Sequence, residues 1–120
     1  MGYPVMWFEV MGTNGEALRQ FYGSLFQWTF NVAGPMQYGE VNTGDPRGIP
    51  GGVGQAAAPF RPYGSTFYVE TPDVAASLAE AQRLGGSVVT PATKVGGDMT
   101  IALFADPEGH VVGLVQHHPA

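Results

Sequence analysis

The chain contains no cysteine. It therefore has no disulfide framework, no thiol nucleophile and no thiolate to offer a metal. Charge is scarce as well: five Lys and Arg against ten Asp and Glu give 12% charged residues and a net charge of −5 over 120 residues. No basic patch forms from so few cations, and a polyanion such as nucleic acid is repelled overall. A neutral or cationic small molecule is the expected partner, and no cofactor is predicted. No apolar run approaches the ~20 residues that a membrane span needs, so no membrane partner is expected. Met1 to Val10 lacks the basic region and cleavage site of a signal peptide, and a cytoplasmic location follows by default.

What is present points to a compact domain. Hydrophobic residues make up 44% of the chain, the reverse of the balance in a disordered segment. The length favours one domain, 1–120, with a single core and little stability to spare. The 18 glycines and 10 prolines are spread along the chain, as suits many short elements joined by turns.

Two segments have helical periodicity. Leu18, Phe21, Tyr22 and Leu25 form one apolar stripe, with Thr13 as the expected cap and Glu16 completing a capping box. Val74, Leu78 and Ala81 share a face of the second. There Thr71 is the expected cap, Pro72 the first helical residue and Gly85-Gly86 the terminator. The rest predicts strands over Val5–Met11, Thr29–Val32, Gln37–Asn42, Gly52–Gln55, Ser65–Glu70, Ser87–Thr90, Thr100–Ala105 and His110–Gln116. Asp106-Pro107-Glu108-Gly109 has turn chemistry and joins the last two strands as a hairpin.

The order is strand, helix, three strands, repeated once. Trp7-Phe8-Glu9-Val10 leads through Gly12-Thr13-Asn14 into the first helix, and Thr66-Phe67-Tyr68-Val69 leads through Thr71-Pro72-Asp73 into the second. An offset of about 60 residues, half the chain, is the mark of an internal duplication of a βαβββ unit, with modules of about 1–60 and 61–120.

Phe8-Glu9-Val10, Thr13-Asn14-Gly15-Glu16-Ala17 and Phe21-Tyr22-Gly23-Ser24-Leu25-Phe26-Gln27-Trp28 resemble the opening module of glyoxalase/bleomycin-resistance proteins of the vicinal oxygen chelate superfamily, with Gln27 where glycine is usual. Leu84-Gly85-Gly86 is similar to the usual end of the second helix. Ala105-Asp106-Pro107-Glu108-Gly109-His110 is similar to the superfamily's Asp-Pro-x-Gly hairpin. The resemblance implies an α+β fold in which two βαβββ modules form curved mixed sheets around a cavity, and it implies a homodimer. Metal-dependent members carry four ligands on the first, fourth, fifth and eighth strands. Carried over, those positions fall near Trp7, at or near Gly54, at Ser65 and at Gly113. Glycine has no donor atom and serine is a poor ligand, so no metal site is expected.

Glu9 is the candidate catalytic or cation-binding carboxylate, facing the same way as Trp7 and Met11. The alternative is a carboxylate on a wet sheet face or one bonded to a neighbouring strand. Trp7, Phe67 and Phe104 are candidate aromatic walls, against the bland reading of ordinary core. By alternation Ser65, Phe67 and Val69 share one face of their strand, and they are assigned to the cavity with Gly113. Gln55, at the end of the fourth strand, completes the expected ligand-binding set. His110, His117 and His118 are read as turn and tail residues. Arg47, on the glycine-rich loop Thr43–Gly54, is read as solvated.

Two functions remain open. One is a metal-free protein that sequesters a small molecule, as antibiotic-resistance proteins of this type do. The other is a glyoxalase-like lyase or isomerase, or another superfamily enzyme, with Glu9 as base.

Overall fold

The computed structural model describes residues 2–34, 37–56 and 64–119. Its elements run β1 (Val5–Gly12), α1 (Gly15–Phe26), β2 (Thr29–Ala33), β3 (Tyr38–Asn42), β4 (Gly51–Gln55), β5 (Gly64–Glu70), α2 (Val74–Arg83), β6 (Ser87–Val95), β7 (Met99–Ala105) and β8 (Val111–His117). The expected α+β order, strand, helix and three strands taken twice, is what the chain adopts. It divides into two compact units, Trp7–Ser65 and Met1–Met6 with Thr66–Ala120.

In the unit Trp7–Ser65 the strands lie in the order β2-β3-β4-β1. β4 runs parallel to β1, while β2–β3 and β3–β4 are antiparallel. In the other unit the order is β6-β7-β8-β5. Again the last strand is parallel to the first, β8 beside β5, and the remaining pairs are antiparallel. The duplication read from the sequence is thus a duplication of strand wiring.

The helix starts differ from expectation by one or two residues. Asn14, not Thr13, caps α1, its side-chain oxygen accepting from the Ala17 amide at 3.0 Å. Asp73, not Thr71, caps α2 through the Ala76 amide at 3.0 Å. The short amide and carboxylate side chains reach the amide three residues on and satisfy an otherwise orphaned donor. The Thr71 hydroxyl instead lies 2.6 Å from that of Ser77, and Pro72 stands before the helix. α2 does end as expected. Gly85 has φ +107°, and the Gly86 amide donates to the Ala81 carbonyl at 2.8 Å, the double-bonded finish of a left-handed C-terminus.

The apolar stripe of α1 is also rotated from its expected position. Phe21 and Leu25 are 60% and 58% exposed. The side toward the sheet carries Gly15, Leu18 and Arg19: Gly15 is buried against the β4 backbone, Leu18 lies beneath Gly12 and Arg19 lies beside Gly39. The Arg19 guanidinium donates to the Gln37 carbonyl at 2.8 Å. In the second unit Val74 and Leu78 of α2 pack on Ala102 and Leu114, with Val69 and Phe104 against them.

β6 runs to Val95, five residues beyond the expected Thr90. Its pairing with β7 shifts register twice, and it stands last in its unit's strand order. There Pro91, which has no N–H, interrupts little. The Asp106–Gly109 turn forms as expected: the Gly109 amide donates to the Asp106 carbonyl at 2.9 Å. His110 belongs to this hairpin connection and not to β8, which starts at Val111.

Candidate functional site

Strand β4 reads Gly51-Gly52-Val53-Gly54-Gln55 and is almost bare of side chains on one face. The reason is a ring laid across it. A Cβ on Gly52 would fall 2.1 Å from the Tyr38 ring, and one on Gly54 would fall 3.1 Å from it. Gly51 makes the same allowance on the opposite face, where its Cβ would meet the Phe8 ring at 2.3 Å. Glycine in a strand interior marks a close approach, and here it is an aromatic side chain that approaches.

Residues opposite each other in a ladder project to the same side. Glu9 of β1 and Glu40 of β3 both pair with Gly52, so Glu9, Tyr38 and Glu40 share the face away from α1. The Tyr38 hydroxyl donates to Glu9 Oε2 at 2.9 Å. The Trp7 indole N–H donates to the Tyr38 hydroxyl oxygen at 2.8 Å. Indole, phenol and carboxylate thus form a chain in which each hydrogen bond has a fixed direction. Its far end is charge-assisted, the stronger kind of hydrogen bond.

The expected site residues are distributed as follows. Trp7 and Glu9 come together through Tyr38. Gln55 turns to the other face and holds the start of α1: its side-chain oxygen accepts from the Gly15 amide at 2.9 Å, and its amide group donates to the Thr13 carbonyl at 2.6 Å. Gln116 does the matching work for α2, accepting from the Val74 amide at 3.0 Å. Gly113 pairs with Tyr68, whose ring covers it: a Cβ there would fall 2.4 Å from the ring. Thr66 and Tyr68 therefore share Gly113's face. Ser65 and Phe67 alternate to the other side of β5, the side of Val69 and Leu114. Phe104 packs against the cluster under α2. The expectation that Ser65, Phe67 and Gly113 form one wall is corrected by this register.

Sequence reasoning missed Tyr38 altogether. The signal that pointed to it was the glycine run of β4, which needs a neighbour to fill the space its side chains leave. The helix-holding glutamines also had a signal: Gly52-Val53-Gly54-Gln55 and Gly113-Leu114-Val115-Gln116 share a Gly-x-x-Gln spacing.

Among the described residues, the strand positions carried over for a superfamily metal bring no matching donor set together. Among the described residues no group of three or more His, Asp or Glu could hold an ion. The faces of Gly52 and Gly113 are occupied by the Tyr38 and Tyr68 rings. The histidines are separately engaged. His110 Nδ1 lies 3.0 Å from Asp106, His117 Nδ1 lies 2.9 Å from Glu70, and His118 Nε2 lies 2.7 Å from the Thr100 hydroxyl. Two amide donors and His110 hold the Asp106 carboxyl below its usual value, the His110 amide most of all. Arg47 pairs with Asp45 at 2.7 Å within its own loop and is 88% exposed.

The likeness to known proteins agrees with this architecture. Residues 8–115 match the family model described as a glyoxalase-like domain. A protein named "Putative glyoxylase CFP32", found in Mycobacterium bovis and in Mycobacterium tuberculosis, is 27% identical over 129 residues, covering 92% of this chain and 44% of the relative. The chain thus spans less than half the length of the curated relatives it matches. A glyoxalase/bleomycin resistance protein/dioxygenase superfamily member from Vibrio splendidus 12B01 superposes with a TM-score of 0.63 at 10% identity, over 96% of this chain and 99% of that one. Methylmalonyl-CoA epimerase from Mycobacterium tuberculosis superposes with a TM-score of 0.67 at 11% identity, over 96% and 88%. At such identities the structures speak to fold, and the family match spans most of the chain: the protein belongs to the glyoxalase-like domain family.

Proposed function

We propose that the protein binds a neutral or cationic small molecule on the sheet face that carries Trp7, Glu9, Met11 and Tyr38, and that it does so without a catalytic metal. The observation that supports this most is the Trp7–Tyr38–Glu9 chain laid over the glycines of β4. It offers an indole edge, a phenol and a carboxylate on one face, with the Tyr38 ring seated directly on the glycine backbone of β4. A ligand with an amine or hydroxyl donor complements the carboxylate, and the net charge of −5 favours a cation. On this reading the protein sequesters its ligand in the cytoplasm, as a homodimer whose sparse charge makes an interface easy to desolvate.

A second reading rests on the same bond. A carboxylate hydrogen-bonded to a phenol at 2.9 Å is a base with an acid beside it. Glu9 would take a proton from a substrate carbon and Tyr38 would stabilise the resulting oxyanion, as in a lyase or isomerase.

The test begins with elemental analysis of the purified protein and thermal melts with nickel, zinc and iron. Melts with a cationic glycopeptide follow, for the wild type, Glu9→Gln and Tyr38→Phe. Sequestration predicts no stoichiometric metal, a rise in Tm with the glycopeptide, and loss of that rise in both variants. Stoichiometric bound metal, or turnover of a hemithioacetal that ceases in Glu9→Gln, would overturn it in favour of an enzyme.

A further inference from the structure

The pairing of β3 with β4 begins at Gly39, opposite Val53, and does not involve Tyr38. The Tyr38 ring nonetheless reaches across β4. A Cβ on Gly52 would collide with its Cε2, its Cζ and its hydroxyl oxygen, and one on Gly54 would crowd its Cδ1 at 3.1 Å. The phenol therefore lies along backbone that carries no side chains. Both printed bonds of its hydroxyl go to β1: Glu9 Oε2 accepts at 2.9 Å and the Trp7 indole N–H donates at 2.8 Å. Strands β1 and β4 thus form a seat with a flat floor, an acceptor for a phenol's proton and a donor for its oxygen. The phenol in that seat is a side chain from a third strand.

Two observations make the ring an occupant and not a fixed wall. Tyr38 is half-buried, whereas Tyr68, which covers Gly113 in the other unit, is 7% exposed. The backbone on either side of Tyr38 is also held without help from the ring. The Arg19 guanidinium donates to the Gln37 carbonyl at 2.8 Å, and Gly39 is buried. The ring can turn out about its own side-chain bonds while β3 stays paired, a faster motion than opening a strand. Its departure takes one partner from the carboxylate and one from the indole. A free phenol returns both bonds, so the exchange conserves hydrogen bonding.

We infer that the glycine floor of β4 is a binding site for a neutral phenol, and that Tyr38 is the built-in occupant such a ligand displaces. The inference goes beyond the function proposed above, in which Tyr38 stays in place as part of the contact surface. The seat selects by chemistry. An aliphatic alcohol brings the hydroxyl but no flat ring. An aryl ether brings the ring and an acceptor but no proton for Glu9. A carboxylate is repelled by Glu9.

The experiment titrates p-cresol, the tyrosine side chain as a free molecule, into the full chain, with p-methylanisole as the ether control. Wild type, Tyr38→Phe and Tyr38→Ala are compared by calorimetry and nuclear Overhauser contacts. In the wild type, contacts between the Tyr38 ring and the Gly52 α-protons are expected to fade as the p-cresol ring takes them up. Affinity rises in Tyr38→Phe, whose ring has lost the bonds that hold it. It rises roughly tenfold or more in Tyr38→Ala, since a site filled by its own side chain most of the time binds weakly in proportion. p-Methylanisole binds wild type roughly tenfold more weakly than p-cresol, the loss of one hydrogen bond to a charged group. Wild type and Tyr38→Phe carry the test even where Tyr38→Ala is too unstable to study. Tyr38–Gly52 contacts that persist in wild type at p-cresol concentrations saturating Tyr38→Phe would overturn the inference. So would equal p-cresol affinity in those two proteins, or equal affinity for p-cresol and p-methylanisole. Tyr38→Phe also separates this site from the function proposed above, because there glycopeptide binding falls while p-cresol binding rises. Failure of the first result alone removes that function, and failure of the second alone removes the phenol site.

Discussion

Gly52 and Gly113 occupy the same place in the two units, on the last strand opposite the first, and each lies under a tyrosine ring. The rings have different origins. Over Gly113 the ring belongs to Tyr68, the residue paired with it. Over Gly52 it belongs to Tyr38 of β3, while the paired residue is Glu9. Where a third strand supplies the filling ring, the first strand is relieved of that task and can carry a carboxylate. Strand wiring and register are held in common. Which strand fills the space decides where chemistry can sit.

The largest way to break this comparison is at the glycines. Gly113→Val drives a side chain into Tyr68, which is 7% exposed and has no room to move. A loss of about 3 kcal/mol, the upper end for overpacking, or failure to fold is expected in urea unfolding. Gly52→Val meets Tyr38, which is only half-buried, so the ring swings aside. The loss there is about 1–2 kcal/mol, accompanied by loss of the Trp7–Tyr38–Glu9 chain. Equal losses would show that the two rings are equally fixed.

A smaller contrast lies at the glutamines. Gln55→Ala removes two hydrogen bonds at the start of α1, and Gln116→Ala removes one at the start of α2. Losses of about 2 and about 1 kcal/mol are expected by chemical denaturation. Tyr38→Phe keeps the ring over Gly52 and deletes only the hydroxyl between indole and carboxylate. About 1 kcal/mol is expected, with a shift of the Trp7 indole N–H resonance as the direct readout.

The smallest effect concerns pH. The folded Asp106 carboxyl lies below its ordinary value of 3.8, chiefly through the His110 amide. Its stabilisation is complete above the unfolded value and fades as pH falls below 3.8 through the lower folded one. Asp106→Asn should therefore flatten the acid end of the stability curve in pH-dependent melts.

These contrasts show why the sequence disclosed the fold more readily than the site. Helix stripes, turn residues and the repeat are local patterns, and they placed all ten elements in order. Errors of one or two residues fell at Thr13, Thr71 and His110, where a cap or a turn competes with its neighbour for the same bond, and the largest, five residues, fell at the end of β6, where the pairing with β7 shifts register. The site depends on ladder partners. Whether Ser65 or Thr66 faces Gly113 turns on a register of one residue, and no local pattern records it. Tyr38 escaped notice because its role is set by absent side chains on another strand. Glu9 and Trp7 were legible because plain alternation along β1 puts them on one face.

Gln27 stands where the resemblance to the superfamily's opening module implies a glycine, and it sits at φ +60°, ψ +34°. A side chain in that region costs about 1 kcal/mol that glycine would not. The molecule thus carries a ready reserve at a place remote in role from ligand contact. A Gln27→Gly background should tolerate site substitutions that the parent chain, with its modest core, could not survive long enough to be assayed.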